Sequence, residues 1–164
     1  MTLSVQRKKI KYAVLFVLSG IFIAIDQWIK EMVYVNLSQG ESVSFIPHVL
    51  SITHIHNSGA AWSLLEGKIL FFVLLTMMVI CVILYYLWKY IEKSNLMITS
   101  LVLILSGAVG NLIDRVKFGY VIDMLKTDFM DFPIFNVADS CLVVGVFLLF
   151  LYLMFMERQE NRKE

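Results

Sequence analysis

Four stretches of the chain, about 12–29, 69–88, 96–113 and 137–156, are apolar for long enough to cross a bilayer as helices. Inside hydrocarbon every backbone N–H and C=O must find its partner within the protein, which leaves helices or closed barrels. The runs are continuous rather than alternating, so they read as helices. At 59% hydrophobic and 16% charged residues, the chain is more apolar than a soluble domain of 164 residues needs for its core. We expect one integral membrane domain over residues 1–164, an all-α bundle of four transmembrane helices. The first span is expected to be retained. No A-x-A-like cleavage site follows it, and Asp26 and Lys30 continue it at helical spacing.

Positive charge orients such a bundle. Arg7, Lys8, Lys9, Lys11, Lys89, Lys93, Arg158, Arg162 and Lys163 fall on one side of four crossings, against Lys30, Lys68, Arg115, Lys117 and Lys126 on the other. Both termini are therefore expected in the cytoplasm, and the loops at about 35–68 and 115–136 outside. In the first loop Val43, Phe45, Val49, Ile52 and Ile55 form a β-prone stretch broken at Pro47. The segment His56–Gly67 then reads as a turn and a short amphipathic surface helix, with Trp62 at the interface. A small extracytoplasmic sheet and a helix resting on the membrane are expected, the helix at Ala60–Leu65 acting as a lid. Gly20 and Ala24, Ser106 and Gly110, and Cys141 and Gly145 each lie four apart, a spacing that lets helices approach in lipid.

Several function classes drop out. A net charge of +1 offers no basic face for nucleic acid. Cys81 and Cys141 stand alone in apolar runs and read as buried, inert thiols. His54 and His56 would point the same way from a strand, yet further metal ligands are lacking. H-E-x-x-H, G-x-S-x-G and phosphate-loop patterns do not occur, so neither metal nor cofactor is expected.

The acids are unevenly spread. Of six aspartates, Asp114, Asp123, Asp128, Asp131 and Asp139 fall between residues 114 and 139, at the outer end of span three, the second loop and the start of span four. Ionisable groups beside a span are costly and point to function. Each has a structural reading as well. Asn111, Asp114 and Arg115 share a helix face, where Arg115 could pair with Asp114 or present free donors to peptide carbonyls. Asp26 and Lys30 read as an intrahelical ion pair with a snorkelling lysine, or as support for other polar groups. Asp128 and Asp131 read as solvated loop acids. Asn136 is a good N-cap that would put Asp139 at the third helical position, where a carboxylate is welcome. Two such acids a few ångströms apart cannot both ionise easily. The charged one can activate water while the protonated one donates to an amide.

Five blocks, taken in order, decide among these readings: "DQWIK" from Asp26, "HNSGAAWSLLEG" from His56, "GNLIDR" from Gly110, "GYVIDML" from Gly119 and "FNVADS" from Phe135. Together they resemble the bacterial lipoprotein signal peptidases (signal peptidase II). The resemblance implies a membrane aspartyl endopeptidase of the bacterial cytoplasmic membrane, with its site at the extracytoplasmic face. It would cut a diacylglyceryl-modified prolipoprotein on the N-terminal side of the lipidated cysteine. It implies Asp123 and Asp139 as the catalytic acids, and Asn57, Asn111, Arg115 and Asn136 as substrate-positioning or supporting residues. Asp26 and Asp114 would be structural acids. It also implies contact with membrane lipids, inhibition by globomycin-type cyclic peptides, and a monomer. Met124 departs from the family, which more often has an aromatic there. A multi-pass proton- or cation-coupled transporter or lipid-binding protein is the alternative, disfavoured because mid-span residues are almost wholly apolar. A catalytically dead assembly subunit is disfavoured by the presence of both acids.

Overall fold

A computed structural model describes residues 3–59 and 64–160. Four long helices carry the chain: α1 (Leu3–Asn36), α2 (Ile69–Tyr90), α3 (Asn95–Phe118) and α4 (Val137–Glu160). All four are long and apolar enough to cross a membrane. Helix α3 is the axis of the bundle. In its most apolar stretch 67% of residues are buried, against 11% in α1, 11% in α2 and 17% in α4. It packs on α1 and α2 and most extensively on α4. Its composition suits that place, because Ser100, Ser106, Gly107, Ala108 and Gly110 allow neighbours close on several sides. The two serines satisfy their hydroxyls within the helix, on Met97 O and Val102 O, both at 2.7 Å.

Glycine is required where α3 meets α1 and α4. A Cβ on Gly110 would lie 2.7 Å from Asp26 Oδ2 and 3.1 Å from the Ala138 Cβ. Gly20, by contrast, has open space within 4 Å, so the Gly20–Ala24 spacing does not mark a helix contact. Cys141 is buried, but Cys81 sits on the exposed apolar face of α2, against the sequence expectation.

Contacts at one end of the bundle tie the start of α1 to the α2–α3 connection. Lys8 pairs with Glu92 at 2.9 Å, Lys11 Nζ donates to Ile91 O at 3.3 Å, and Tyr12 donates to Trp88 O at 3.2 Å. The far end carries a three-stranded antiparallel sheet of β1 (Ser42–Ile46), β2 (Leu50–Asn57) and β3 (Val121–Thr127), in that order. The first loop supplies β1 and β2. The second loop supplies β3, a strand the sequence pattern did not disclose. Asp123 stands opposite Ile55 and Val121 opposite Asn57, with a bulge between Ile52 and Ile55. The expected lid lies largely outside the described residues, which omit 60–63 and so Trp62. Leu64–Gly67 form a turn.

Candidate active site

The sharp change of direction after α3 sets up the site. Gly119 ends the helix in the left-handed region (φ 78°), its N–H donating to Arg115 O at 3.1 Å. A glycine takes that conformation without steric cost. The chain can then turn at once into β3 and set Asp123 beside α3. Beyond β3 the loop folds back, and Phe135 exchanges backbone hydrogen bonds with Leu125 at 2.7 and 3.1 Å. That return delivers Asn136 and the start of α4 to the same place.

Helix α4 begins with a reciprocal cap. Asn136 Oδ1 accepts the Asp139 N–H at 2.8 Å, and Asp139 Oδ2 accepts the Asn136 N–H at 3.2 Å. The cap expected from the sequence is thus present, and it has further connections. Asn136 Nδ2 donates to Asp123 Oδ1 at 2.7 Å and to Asn111 Oδ1 at 3.1 Å. Asn111 Nδ2 donates to Asp139 Oδ1 at 2.7 Å, and Asn57 Nδ2 donates to Asp123 Oδ2 at 2.8 Å. All four carboxylate oxygens of Asp123 and Asp139 therefore receive an N–H.

Asn57, Asn111, Arg115, Asp123 and Asp139 line one cavity of about 660 Å³, whose other walls include Val121, Phe132, Ile134, Leu142 and Val143. The lining is mostly apolar, with polar groups converging from one side, as in small-molecule and peptide pockets. Burial pushes the Asp123 carboxyl up to about 7, and the neighbouring charge of Asp139 adds to it. The amides of Asn57 and Asn136 and the charge of Lys30 oppose that rise. Arg115 Nη2 donates to Gly59 O at 3.2 Å, and its guanidinium lies 4.9 Å from the Phe72 ring centroid. Arg115 Nε is buried without a hydrogen-bond partner among the described residues.

Asp26 and Asp114 sit behind the cavity rather than in it. Lys30 Nζ lies 2.9 Å from an oxygen of each, and Gln27 bridges them from the side. Asp26 Oδ1 accepts the Ala138 N–H at 2.8 Å and Asp114 Oδ2 the Ile122 N–H at 3.1 Å. The two acids thereby pin the start of α4 and the strand that carries Asp123. Arg115 does not pair with Asp114, because Lys30 takes that partner. Nor does Lys30 snorkel, being 2% exposed. Of the two sequence readings of Lys30, support for other polar groups is the one its contacts with Asp114 and Asn111 fit. Gln27 had no site role in the sequence, although "DQWIK" puts it beside Asp26.

His54 and His56 make a separate cluster. His54 Nδ1 meets Leu37 O at 2.8 Å, the two Nε2 atoms are 3.0 Å apart, and His56 stacks on Tyr120. Among the described residues no three His, Cys, Asp or Glu side chains are grouped to hold a metal.

Known proteins match this chain over nearly its whole length. The family described as signal peptidase (SPase) II matches residues 18–155. The chain belongs to the signal peptidase II family. A lipoprotein signal peptidase of Enterococcus faecalis is 54% identical over 145 residues, 88% of this chain and 90% of that protein. One from Lactobacillus johnsonii is 41% identical over 93% of this chain and 99% of its own. A solved bacterial membrane enzyme, determined by the in meso method at 2.3 Å, superposes with a TM-score of 0.86 at 36% identity, covering 93% of both chains. A second such structure, at 1.9 Å, gives 0.80 at 36% identity over 86% of this chain and 92% of that one. As a member of that family the chain is a multi-pass bacterial membrane peptidase.

Proposed function

We propose that this peptidase removes the signal peptide from diacylglyceryl-modified prolipoproteins, cutting on the N-terminal side of the lipidated cysteine with Asp123 and Asp139 as its catalytic acids. The observation that carries the proposal is the convergence of these two carboxyls on one apolar-walled cavity, with amide donors on all four oxygens. Asp123, shifted to about 7 by burial, keeps its proton up to about neutral pH, where an ordinary aspartate has lost it. Asp139 is the base. A water between them gives its proton to Asp139 while its oxygen attacks the scissile carbonyl. Asp123 then passes its proton to the departing amide nitrogen, and the exchange resets when product leaves. Neither a metal nor a covalent intermediate enters.

Supporting roles follow from the bonds. Asn57, Asn111 and Asn136 fix the carboxyl planes, and Arg115 offers donors to substrate carbonyls. Asp26 and Asp114 hold the elements that carry the acids. The apolar wall of Leu142 and Val143 suits a substrate that arrives from the bilayer with its acyl chains still in lipid. We assign both termini to the cytoplasm and the sheet with the cavity to the extracytoplasmic face. The chain forms a single membrane domain that works as a monomer, and globomycin-type cyclic peptides would compete for the cavity. A transporter reading is not favoured, because the polar groups gather at one end of the bundle.

The test is direct. Purified protein is incubated with a diacylglyceryl prolipoprotein, and the mobility shift of the product is followed for wild type, Asp123→Asn and Asp139→Asn. Wild type should cleave and both variants should not. Cleavage by either variant at the wild-type rate would remove that acid from the mechanism.

A further inference from the structure

Lys30 lies behind the cavity, fully enclosed, and its ammonium has three protons to donate. Two go to Asp26 Oδ2 and Asp114 Oδ2, both at 2.9 Å. The third goes to Asn111 Oδ1 at 3.0 Å. Charge balance would be met by the two carboxylates alone, so the third bond needs its own account. Asn111 Oδ1 also accepts from Asn136 Nδ2 at 3.1 Å, which fills both lone pairs of that oxygen. The carboxamide is then left with one orientation, its NH₂ turned to Asp139 Oδ1 at 2.7 Å. Rotated by half a turn, it would set its NH₂ against an ammonium and a second NH₂, and its oxygen against a carboxylate. An amide can turn over, but an ammonium cannot accept a hydrogen bond.

We infer that Lys30 is a positioning residue for the reaction: by holding Asn111 in one orientation, it keeps an amide donor on the base Asp139 and a cation behind the pair. The inference rests on the assignment of Asp123 and Asp139 as the reacting acids. The relay spans three helices, from Lys30 on α1 through Asn111 on α3 to Asp139 on α4, and Lys30 itself lies outside the cavity lining. The charged groups around Asp139 are Asp26 and Lys30 from α1, Asp114 and Arg115 from α3, and Asp123 from β3. Among these cations, Arg115 faces the cavity and is already engaged with Gly59 O, whereas Lys30 approaches the pair from the protein side.

Two variants test this. Lys30→Met keeps the stem and removes the charge and the donors. Lys30→Met combined with Asp114→Asn also lifts the excess negative charge left behind, which protects the fold. Each is assayed with the diacylglyceryl prolipoprotein across pH, beside Asp123→Asn and Asp139→Asn. Thermal melting in detergent confirms which variants are folded. In the folded variants kcat should fall by about ten- to a hundredfold, the loss of one hydrogen bond to a charged group, with KM within about twofold. The acid limb of kcat/KM, which reports the pair, should move to higher pH, because a pair without its cation holds its protons more tightly. An unmoved acid limb in a folded variant would overturn the inference. So would full recovery of kcat in the double variant, since charge balance alone would then explain Lys30. Activity in either dyad control would instead overturn the assignment of the acids.

Discussion

Asn136 and Asp123 are joined by a 2.7 Å hydrogen bond from the asparagine carboxamide, and the same carboxamide caps α4 by accepting the Asp139 N–H at 2.8 Å. The start of the helix and the geometry of the two acids are therefore one structure. Asn136 is 0% exposed, so both bonds are shielded from solvent. Replacement by Asp keeps the capping oxygen but exchanges a donor for a third carboxyl beside Asp123. Asn136→Asp should fold and lose at least about a hundredfold in cleavage rate. Asn136→Ala should lose the cap as well and cost about 1–3 kcal/mol of stability. Melting and cleavage assays on both variants check this. A near-normal rate for Asn136→Asp would mean that the amide donor is dispensable.

Asp123 makes stability depend on pH in an unusual direction. Its folded carboxyl titrates at about 7, while the unfolded one titrates near 3.8. Between those values the folded chain binds more protons, so this group's contribution falls as pH rises through the window. The penalty is complete above about pH 7 and has a ceiling of about 4 kcal/mol, reduced by sharing with Asp139. Asp123→Asn removes it. The variant should melt close to wild type at pH 4 and above it at pH 8. Equal melting at both values would show that Asp123 ionises freely in the folded chain.

Catalysis should follow the same group. If Asp123 supplies the proton to the leaving nitrogen, kcat/KM should decline as pH rises past about 7. A pH–rate profile over pH 5–9 in detergent measures it. A rate still climbing at pH 9 would be incompatible with Asp123 as the acid.

The spans were legible because length and continuous apolarity are local properties, and so was the Asn136 cap. Strand β3 was not, because "VIDMLKT" mixes Asp and Lys into a short run whose partner strand lies far away. Asn57 and Asp123, for example, are 66 residues apart. Lys30 shows the same limit. Its spacing from Asp26 correctly indicated an ion pair, but its burial depends on Asp114 and Asn111, which arrive from α3, 81 residues away in the case of Asn111. The Asp114–Arg115 pairing looked natural from adjacency and failed because a better-placed cation came from α1. Convergence of Asp123 and Asp139 had no local signature beyond the motifs that surround them.

Gly110 links packing to the site. A methyl there would press on Asp26 Oδ2 at 2.7 Å, and Asp26 is what holds the Ala138 N–H at the start of α4. Gly110→Ala should cost about 1–3 kcal/mol through overpacking and should lower cleavage in the molecules that remain folded. Gly20→Ala is the control. Its new methyl meets nothing within 4 Å, so the variant should be neutral or slightly stabilised. Equal stability of the two variants would mean that α3 has room to move away from α1.

Arg115 is held from two sides, by Gly59 O at 3.2 Å and by the Phe72 ring at 4.9 Å. Its Nε stays without a partner among the described residues, a donor whose burial is repaid only if something else accepts from it. A substrate carbonyl entering the cavity is such an acceptor. Arg115→Lys retains the charge but loses the planar set of donors, so KM should rise by about tenfold, more than kcat falls. Phe72→Leu fills similar space without a π face and should raise KM by several-fold, in line with a cation–π contact of about 1 kcal/mol. Steady-state kinetics on the lipidated substrate separates the two parameters. A loss confined to kcat in both variants would put Arg115 on the acids rather than on the substrate.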